Sequence, residues 1–311
     1  MKRCLVKKVL CAGLAAGLLM LTACGGTAEP SNEPAGGASA EPAAGTLTIA
    51  ATTYPVYCFA TAVVEGVEGV TVEAVINQSI SCLHDYTLTV NDMKSLEGAD
   101  LVLLSGAGLE DFMDSALAGR TGGSVIDCSE AITLLPGEYA GEADPHIWMD
   151  PARAAQMVDT IARNLAQLDP DHAAQYEANA SAAGQTLAEA AVAWQAELSG
   201  LSCREIITFH DGFAYFAEAF DLEVLAAIEE EEGSEASAQE ITALIALIGE
   251  HQLPVVFTEV NGSDATANTI ARETGVAVRS MTMIMSGEDS GLTGYLDGIS
   301  YNVTALAETM Q

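Results

Sequence analysis

His84, His146 and His210 are the residues from which chemistry could be assembled. Only five histidines occur in 311 residues, and these three each stand at a strand-to-helix junction. His84 lies in Ser81-Cys82-Leu83-His84-Asp85-Tyr86, ahead of the helix signal Thr89-Val90-Asn91-Asp92. His146 lies in Asp144-Pro145-His146-Ile147-Trp148-Met149-Asp150-Pro151, ahead of an alanine-rich helix. His210 follows the strand-like run from Glu205 to Phe209 and precedes a helix opening near Asp211. In open α/β sheets, ligands sit beyond the carboxyl ends of the strands. Three imidazoles delivered there from distant segments can meet at one point, and neutral imidazole is a favoured ligand for transition metals. The bland alternative is three unrelated histidines; the shared junction type argues against it. Cys82 would be a soft extra ligand, a buried thiol or half of a disulfide. Asp85, Asp144 and Asp150 either orient the imidazoles or act as ordinary caps.

The elements that must position these residues alternate. From Thr46 to Leu168, strands are expected at 46–52, 70–76, 99–104 and 124–127, with helices over 56–64, 93–98 and 109–117 between them. This is the pattern of βαβ units and a parallel sheet. Gly106-Ala107-Gly108 lacks the third glycine of a dinucleotide fingerprint. Asp150 before Pro151 reads as an N-cap followed by proline in the first turn, so two prolines pin the His146 loop. Tyr176, Ala180, Ala183, Leu187, Ala190, Trp194 and Leu198 then recur at steps of three and four. They mark one helix within residues 169–200, a rigid strut of roughly 40 Å at about 1.5 Å per residue. His172 in its first turn reads as solvated. Over 201–311 the alternation resumes, with strands at 203–209, 222–228, 254–259 and 276–281. Helices are expected around Phe213–Phe220 and over 237–251, 261–273 and 292–306. Glu229-Glu230-Glu231-Glu232 reads as a solvated turn, His251 as a C-terminal cap, and Met281, Met283 and Met285 as core filler. The fold class is therefore α/β: two lobes, each a mainly parallel sheet flanked by helices, joined by one long helix.

Residues 1–23 form a leader, with Lys2, Arg3, Lys7 and Lys8 before the apolar run Val9–Leu21. It ends in Leu21-Thr22-Ala23-Cys24-Gly25, which resembles a bacterial lipobox, so Cys24 is expected to carry the lipid. Residues 24–45 are rich in Ala, Gly, Pro, Glu and Ser and read as a tether. The chain's formal net charge is −33, and loss of the four basic residues of the leader takes it four units further negative. So acidic a body excludes binding to nucleic acid through its phosphates; it is compatible with cation capture without arguing for it. Cys58, Cys82, Cys128 and Cys203 remain in the exported part, where disulfides are permitted. The absence of Cys-x-x-Cys argues against a zinc-ribbon or thioredoxin-like site.

The stretches Cys82-Leu-His84-Asp-Tyr-Thr-Leu-Thr-Val-Asn-Asp92, Ala99-Asp-Leu-Val-Leu-Leu-Ser-Gly106 with Leu109-Glu110, Asp144-Pro-His146-Ile-Trp-Met-Asp150-Pro151, Phe209-His210-Asp211-Gly-Phe-Ala-Tyr-Phe216, Phe257-Thr-Glu259 and Glu273-Thr-Gly275 together carry a family resemblance. The chain resembles the metal-binding lipoproteins of bacterial zinc and manganese ABC importers, the cluster A-I solute-binding proteins, over nearly all of Thr46–Leu306. The resemblance implies a metal held between two lobes by His84, His146 and His210. It also implies a lipid-anchored monomer on the outer face of the cell membrane, with an ABC transporter permease as partner. The family often adds an Asp after the strand that follows the Glu-Thr-Gly motif; here Thr282 stands about where it would be. The fourth position is then open to Glu259, water, Cys82, Glu288 or Asp289, and Glu259 is preferred because it closes a strand. Three imidazoles with at most one oxygen suit Zn(II), with Mn(II) the alternative. The segment 137–143 lacks the histidine-rich loop of many zinc members.

Two other functions compete. A zinc hydrolase also uses three ligands and an open position, but it needs a general base, and neither His-Glu-x-x-His nor Gly-x-Ser-x-Gly occurs. The expectation is a protein that is not an enzyme. A surface adhesin with a structural metal site is the other; an apo protein that stays folded would count against it.

Overall fold

The structure is a computed structural model and describes residues 46–78, 83, 86–137, 141–229 and 236–311. Two four-stranded parallel sheets form its framework. The first contains β1 (Leu47–Ala51), β2 (Val70–Ala74), β3 (Leu101–Leu104) and β4 (Ser124–Asp127), in the order β2-β1-β3-β4. Helices α1 (Tyr54–Val63), α2 (Val90–Gly98) and α3 (Asp114–Ala118) connect them. The second contains β5 (Glu205–His210), β6 (Glu223–Glu229), β7 (Val255–Glu259) and β8 (Ala277–Met281), in the equivalent order β6-β5-β7-β8. Its helices are α6 (Ala214–Phe220), α7 (Ala238–His251), α8 (Ala265–Thr274) and the closing α9 (Leu292–Thr309). In both sheets the order reverses direction beside the first strand, which opens a crevice at the carboxyl ends.

Between the sheets run α4 (Pro151–Leu168) and α5 (Ala173–Leu198). Asp150 caps α4 by accepting from the Ala152 N–H at 2.7 Å, with Pro151 in the first turn. The stripe read from the sequence is the buried face of α5, with Ala190 half-buried. However, α5 is not a bare strut. It lies along α4 and also against α1 and α9. One continuous apolar core runs from Ile49 and Phe59 of the first lobe, through Trp148 and Leu187, to Phe216, Phe257 and Tyr295. A separate small core, with Ile207, Phe209, Val256 and Ile270, fills the far side of the second sheet.

Four local expectations are corrected. The segment expected as a helix over 109–117 is a 3-10 turn (Asp111–Met113) followed by the five-residue α3. The helix expected over 261–273 begins at Ala265. His251 is not a cap: α7 ends on left-handed Gln252, and His251 Nδ1 lies 3.0 Å from Glu205 Oε2. His172 is partly exposed but engaged, its Nδ1 2.7 Å from the Asp169 oxygen that also accepts from Tyr176. Cys58, Cys128 and Cys203 are free thiols; Cys82 and the glutamates 230–232 lie outside the described residues, as do Cys24 and the segments expected as leader and tether. Among the described residues, no helix is long and apolar enough to cross a membrane.

The turn after β3 shows why a dinucleotide loop is absent. Gly106, Ala107 and Gly108 all take positive φ, but an internal carboxylate occupies the amides a phosphate would need. Buried Glu110 accepts from the Thr52 hydroxyl and the Ser105 N–H, each at 2.7 Å, and from the Gly106 N–H at 3.0 Å. Burial pushes the Glu110 carboxyl up to about 7, against the pull of those three donors. An acid whose folded pKa exceeds its unfolded value holds its proton more tightly when folded. Its contribution to stability is therefore greatest at the acid end and falls as pH rises from about 4.5 through 7. A displacement of this size corresponds to about 3 kcal/mol by linkage. Chemical denaturation of the protein between pH 5 and 8 is expected to show this fall, and Glu110→Gln to flatten it. Parallel profiles for the two proteins would show that Glu110 is not its source.

Candidate metal centre

His146 and His210 reach the same point from different lobes. His210 is the last residue of β5. Along that strand Ile206 packs into the shared core, while Ile207 and Phe209 pack into the far-side core. The two-residue period of a strand therefore turns His210 toward the space between the lobes. Glu259 is the last residue of β7, where Val255 and Phe257 face the shared core and Val256 faces away. Thr208 pairs with Phe257; carried on by two residues, that register sets Glu259 beside His210 on the same face.

His146 precedes a 3-10 turn, Ile147–Met149, that leads into α4. Its loop is held from several sides. The Asp144 carboxylate accepts from the His146 backbone N–H at 2.9 Å and lies 2.8 Å from the ring Nδ1. A carboxylate can only accept, so Nδ1 carries the proton, and whenever the ring is neutral Nε2 presents its lone pair. Tyr215 of α6 donates to the Asp144 carbonyl at 2.8 Å and accepts from the Leu135 N–H at 2.9 Å. Trp148 is fully buried beside His146, ring centroids 5.4 Å apart, and donates its indole N–H to the Met283 carbonyl at 2.9 Å. Asp150 is engaged by the helix N-terminus and by Arg153, 2.6 Å away. Of the two described aspartates that flank His146, Asp144 orients the imidazole and Asp150 caps the helix.

The two rings meet edge to face at 89°, with Nε2 atoms 3.3 Å apart. Two zinc–nitrogen bonds of about 2.0–2.1 Å at a tetrahedral angle would separate their nitrogens by about 3.3–3.4 Å. Both histidines are buried. Gly212 keeps space for them: a Cβ there would come within 2.8 Å of the His210 ring, 3.1 Å of the His146 ring and 2.5 Å of the Met283 methyl.

His84 and Asp85 lie outside the described residues, although buried Leu83 and half-buried Tyr86 beside them are described. Among the described residues, no three His, Cys, Asp or Glu side chains are grouped closely enough to hold a metal ion; the structure brings His146 to His210 and places Glu259 on the same face. Thr282 is committed elsewhere. Its hydroxyl accepts from the Ile284 N–H at 3.0 Å, and Asn302 of α9 bonds both its N–H and its carbonyl. Glu288 and Asp289 are exposed. No local signal marks Gly212 or Tyr215, because their roles depend on residues distant in the chain.

Comparison with known proteins agrees with this architecture. The family model described as ZnuA, zinc-uptake complex component A, periplasmic, matches residues 49–309. The manganese-binding lipoprotein MntA of Halalkalibacterium halodurans is 27% identical over 224 residues, covering 71% of this chain and 75% of that protein. The high-affinity zinc uptake system protein ZnuA of Bacillus subtilis is 25% identical over 316 residues, covering 96% of each. A crystal structure of ZnuA superposes with a TM-score of 0.77 at 30% identity, covering 86% of this chain and all of that one. These relatives are metal-binding and uptake proteins, not enzymes. The chain belongs to the family of periplasmic zinc-uptake complex component A, the solute-binding components of metal importers.

Proposed function

We propose that this protein captures a divalent metal ion outside the cell membrane and delivers it to the permease of an ABC importer, with Zn(II) preferred over Mn(II). The observation that carries this reading is the 3.3 Å separation of the His146 and His210 Nε2 atoms, a spacing suited to two ligands of one tetrahedral zinc. His84 completes the imidazole set and Glu259 supplies the oxygen. The metal is cargo. Cys24, once lipidated, tethers a monomeric body to the outer leaflet.

The test is metal content and titration of the soluble body lacking Cys24, stripped and then offered Zn(II) and Mn(II). One tightly held zinc per chain is expected. Preference for manganese would redirect attention to extra carboxylates, and no stoichiometric binding of either metal would overturn the reading. Asp144→Ala should weaken zinc binding by about 10- to 100-fold, because the imidazole loses the partner that fixes its tautomer and orientation. Thermal unfolding of the metal-free variant would show whether the loss is one of affinity or of folding.

A further inference from the structure

The segment from Thr282 to Gly291, between β8 and α9, belongs to the second lobe but is held mainly by the first. The Trp148 indole bonds the Met283 carbonyl at 2.9 Å. Asn77, three residues past β2, binds Gly287 in both directions: its amide donates to the Gly287 carbonyl at 2.9 Å and its oxygen accepts from the Gly287 N–H at 3.2 Å. The Tyr54 hydroxyl donates to the Asp289 carbonyl at 3.1 Å, and Thr61 accepts from the Gly291 N–H at 2.7 Å. Gly287 and Gly294 are required here, since a Cβ on either would overlap the Tyr54 ring.

Two properties distinguish this strap from ordinary packing between lobes. It is strained: Ile284, β-branched, has φ of 62°, a conformation that persists only where the surroundings impose it. Its restraints also differ in strength. Met283, Ile284 and Met285 are buried, whereas Asn77 and residues 288–290 are exposed, so water competes for the Asn77–Gly287 pair. The strap thus has a firm root beside His146 and a breakable far end. The continuous core joining the lobes opposes wholesale separation, which leaves the strap as the part that can let go.

We propose that residues 282–291 form a release latch and that Asn77 is the positioning residue that holds it shut. Releasing the Asn77–Gly287 pair lets the strained segment between Gly287 and Met283 relax, and through the Trp148 bond to Met283 this loosens the hold on His146 and speeds metal exit. This rests on the proposed metal site, but the latch itself can be read without metal.

The experiment uses the soluble body with Asn77→Ala, and separately Thr61→Val, which removes the acceptor for Gly291 while keeping side-chain shape. Amide hydrogen exchange on the metal-free proteins reads the latch; zinc release into excess chelator, followed by stopped flow, reads its consequence. Asn77→Ala is expected to raise exchange across 283–291 and to speed release about five- to tenfold, the effect of losing one to two exposed hydrogen bonds. Asn77→Asp, which keeps the acceptor for the Gly287 N–H, should recover part of the change. Faster exchange confined to Gly287 would overturn the latch. Faster exchange throughout the strap with unchanged zinc release would overturn its control of exit. If the wild-type chain binds no metal, the proposed function fails, and exchange alone decides whether the strap is a coupled unit.

Discussion

Replacing His146 with alanine is expected to lower zinc affinity by about 10²- to 10³-fold while leaving the fold intact. The magnitude follows from dividing the roughly 10–16 kcal/mol of a four-ligand zinc site among its ligands, each then worth about 2.5–4 kcal/mol. The fold should survive because His146 lies in a loop whose other restraints remain: the Asp150 cap, the Trp148 bond to Met283 and the Tyr215 bond to Asp144. His210→Ala should have an effect of the same order, since that ring ends a strand whose preceding residues are buried. Competition titration against a chelator of known affinity gives the ratio, with circular dichroism as the check on folding. A variant lacking His146 that binds zinc as tightly as the wild type would exclude this imidazole from the ligand set. It would also remove the meaning given to the 3.3 Å spacing.

Gly212→Ala is the second large effect expected, and it tests geometry without removing a ligand. One added methyl group would press on the His210 ring, the His146 ring and the Met283 methyl. The methionine can move aside, but the imidazoles cannot do so without losing their relation to each other. Overpacking of this kind costs about 1–3 kcal/mol, here divided between stability and the site. Zinc affinity is expected to fall about tenfold or more, and the metal-free melting temperature to fall by a few degrees. Isothermal titration beside thermal melts separates the two. Unchanged affinity with a lowered melting temperature would mean that the rings relax together and their spacing is not set by Gly212.

The two architectural halves were readable because each strand and helix carries its own signal. The all-apolar Leu101–Leu104 reads as a strand covered on both faces, and the Asp150-Pro151 pair reads as a helix start. The weak points were short elements. The stretch from Leu109 to Leu117 has helical composition, yet Glu110 turns back to bind Ser105 and Gly106, and that leaves room only for the 3-10 turn and the five-residue α3. His251 has the position of a cap, but the approach of Glu205 on β5 decided its partner. For Asp144 and Asp150 the sequence offered two roles without dividing them. The division appears only when His146 Nδ1 and the Ala152 N–H are placed in space.

Local patterns along the chain specify the alternation of strands and helices, the amphipathic α5, and the junctions that bring His146, His210 and Glu259 to strand ends or helix starts. These features follow from local periodicity and capping, which act within a few residues. Tertiary structure alone decided that His146 and His210 approach to 3.3 Å. It also made the two lobes share one core and committed the Thr282 backbone to Asn302. Those outcomes join residues up to more than a hundred positions apart. They depend on how helices and sheets pack in three dimensions, and no spacing along the chain encodes such distances.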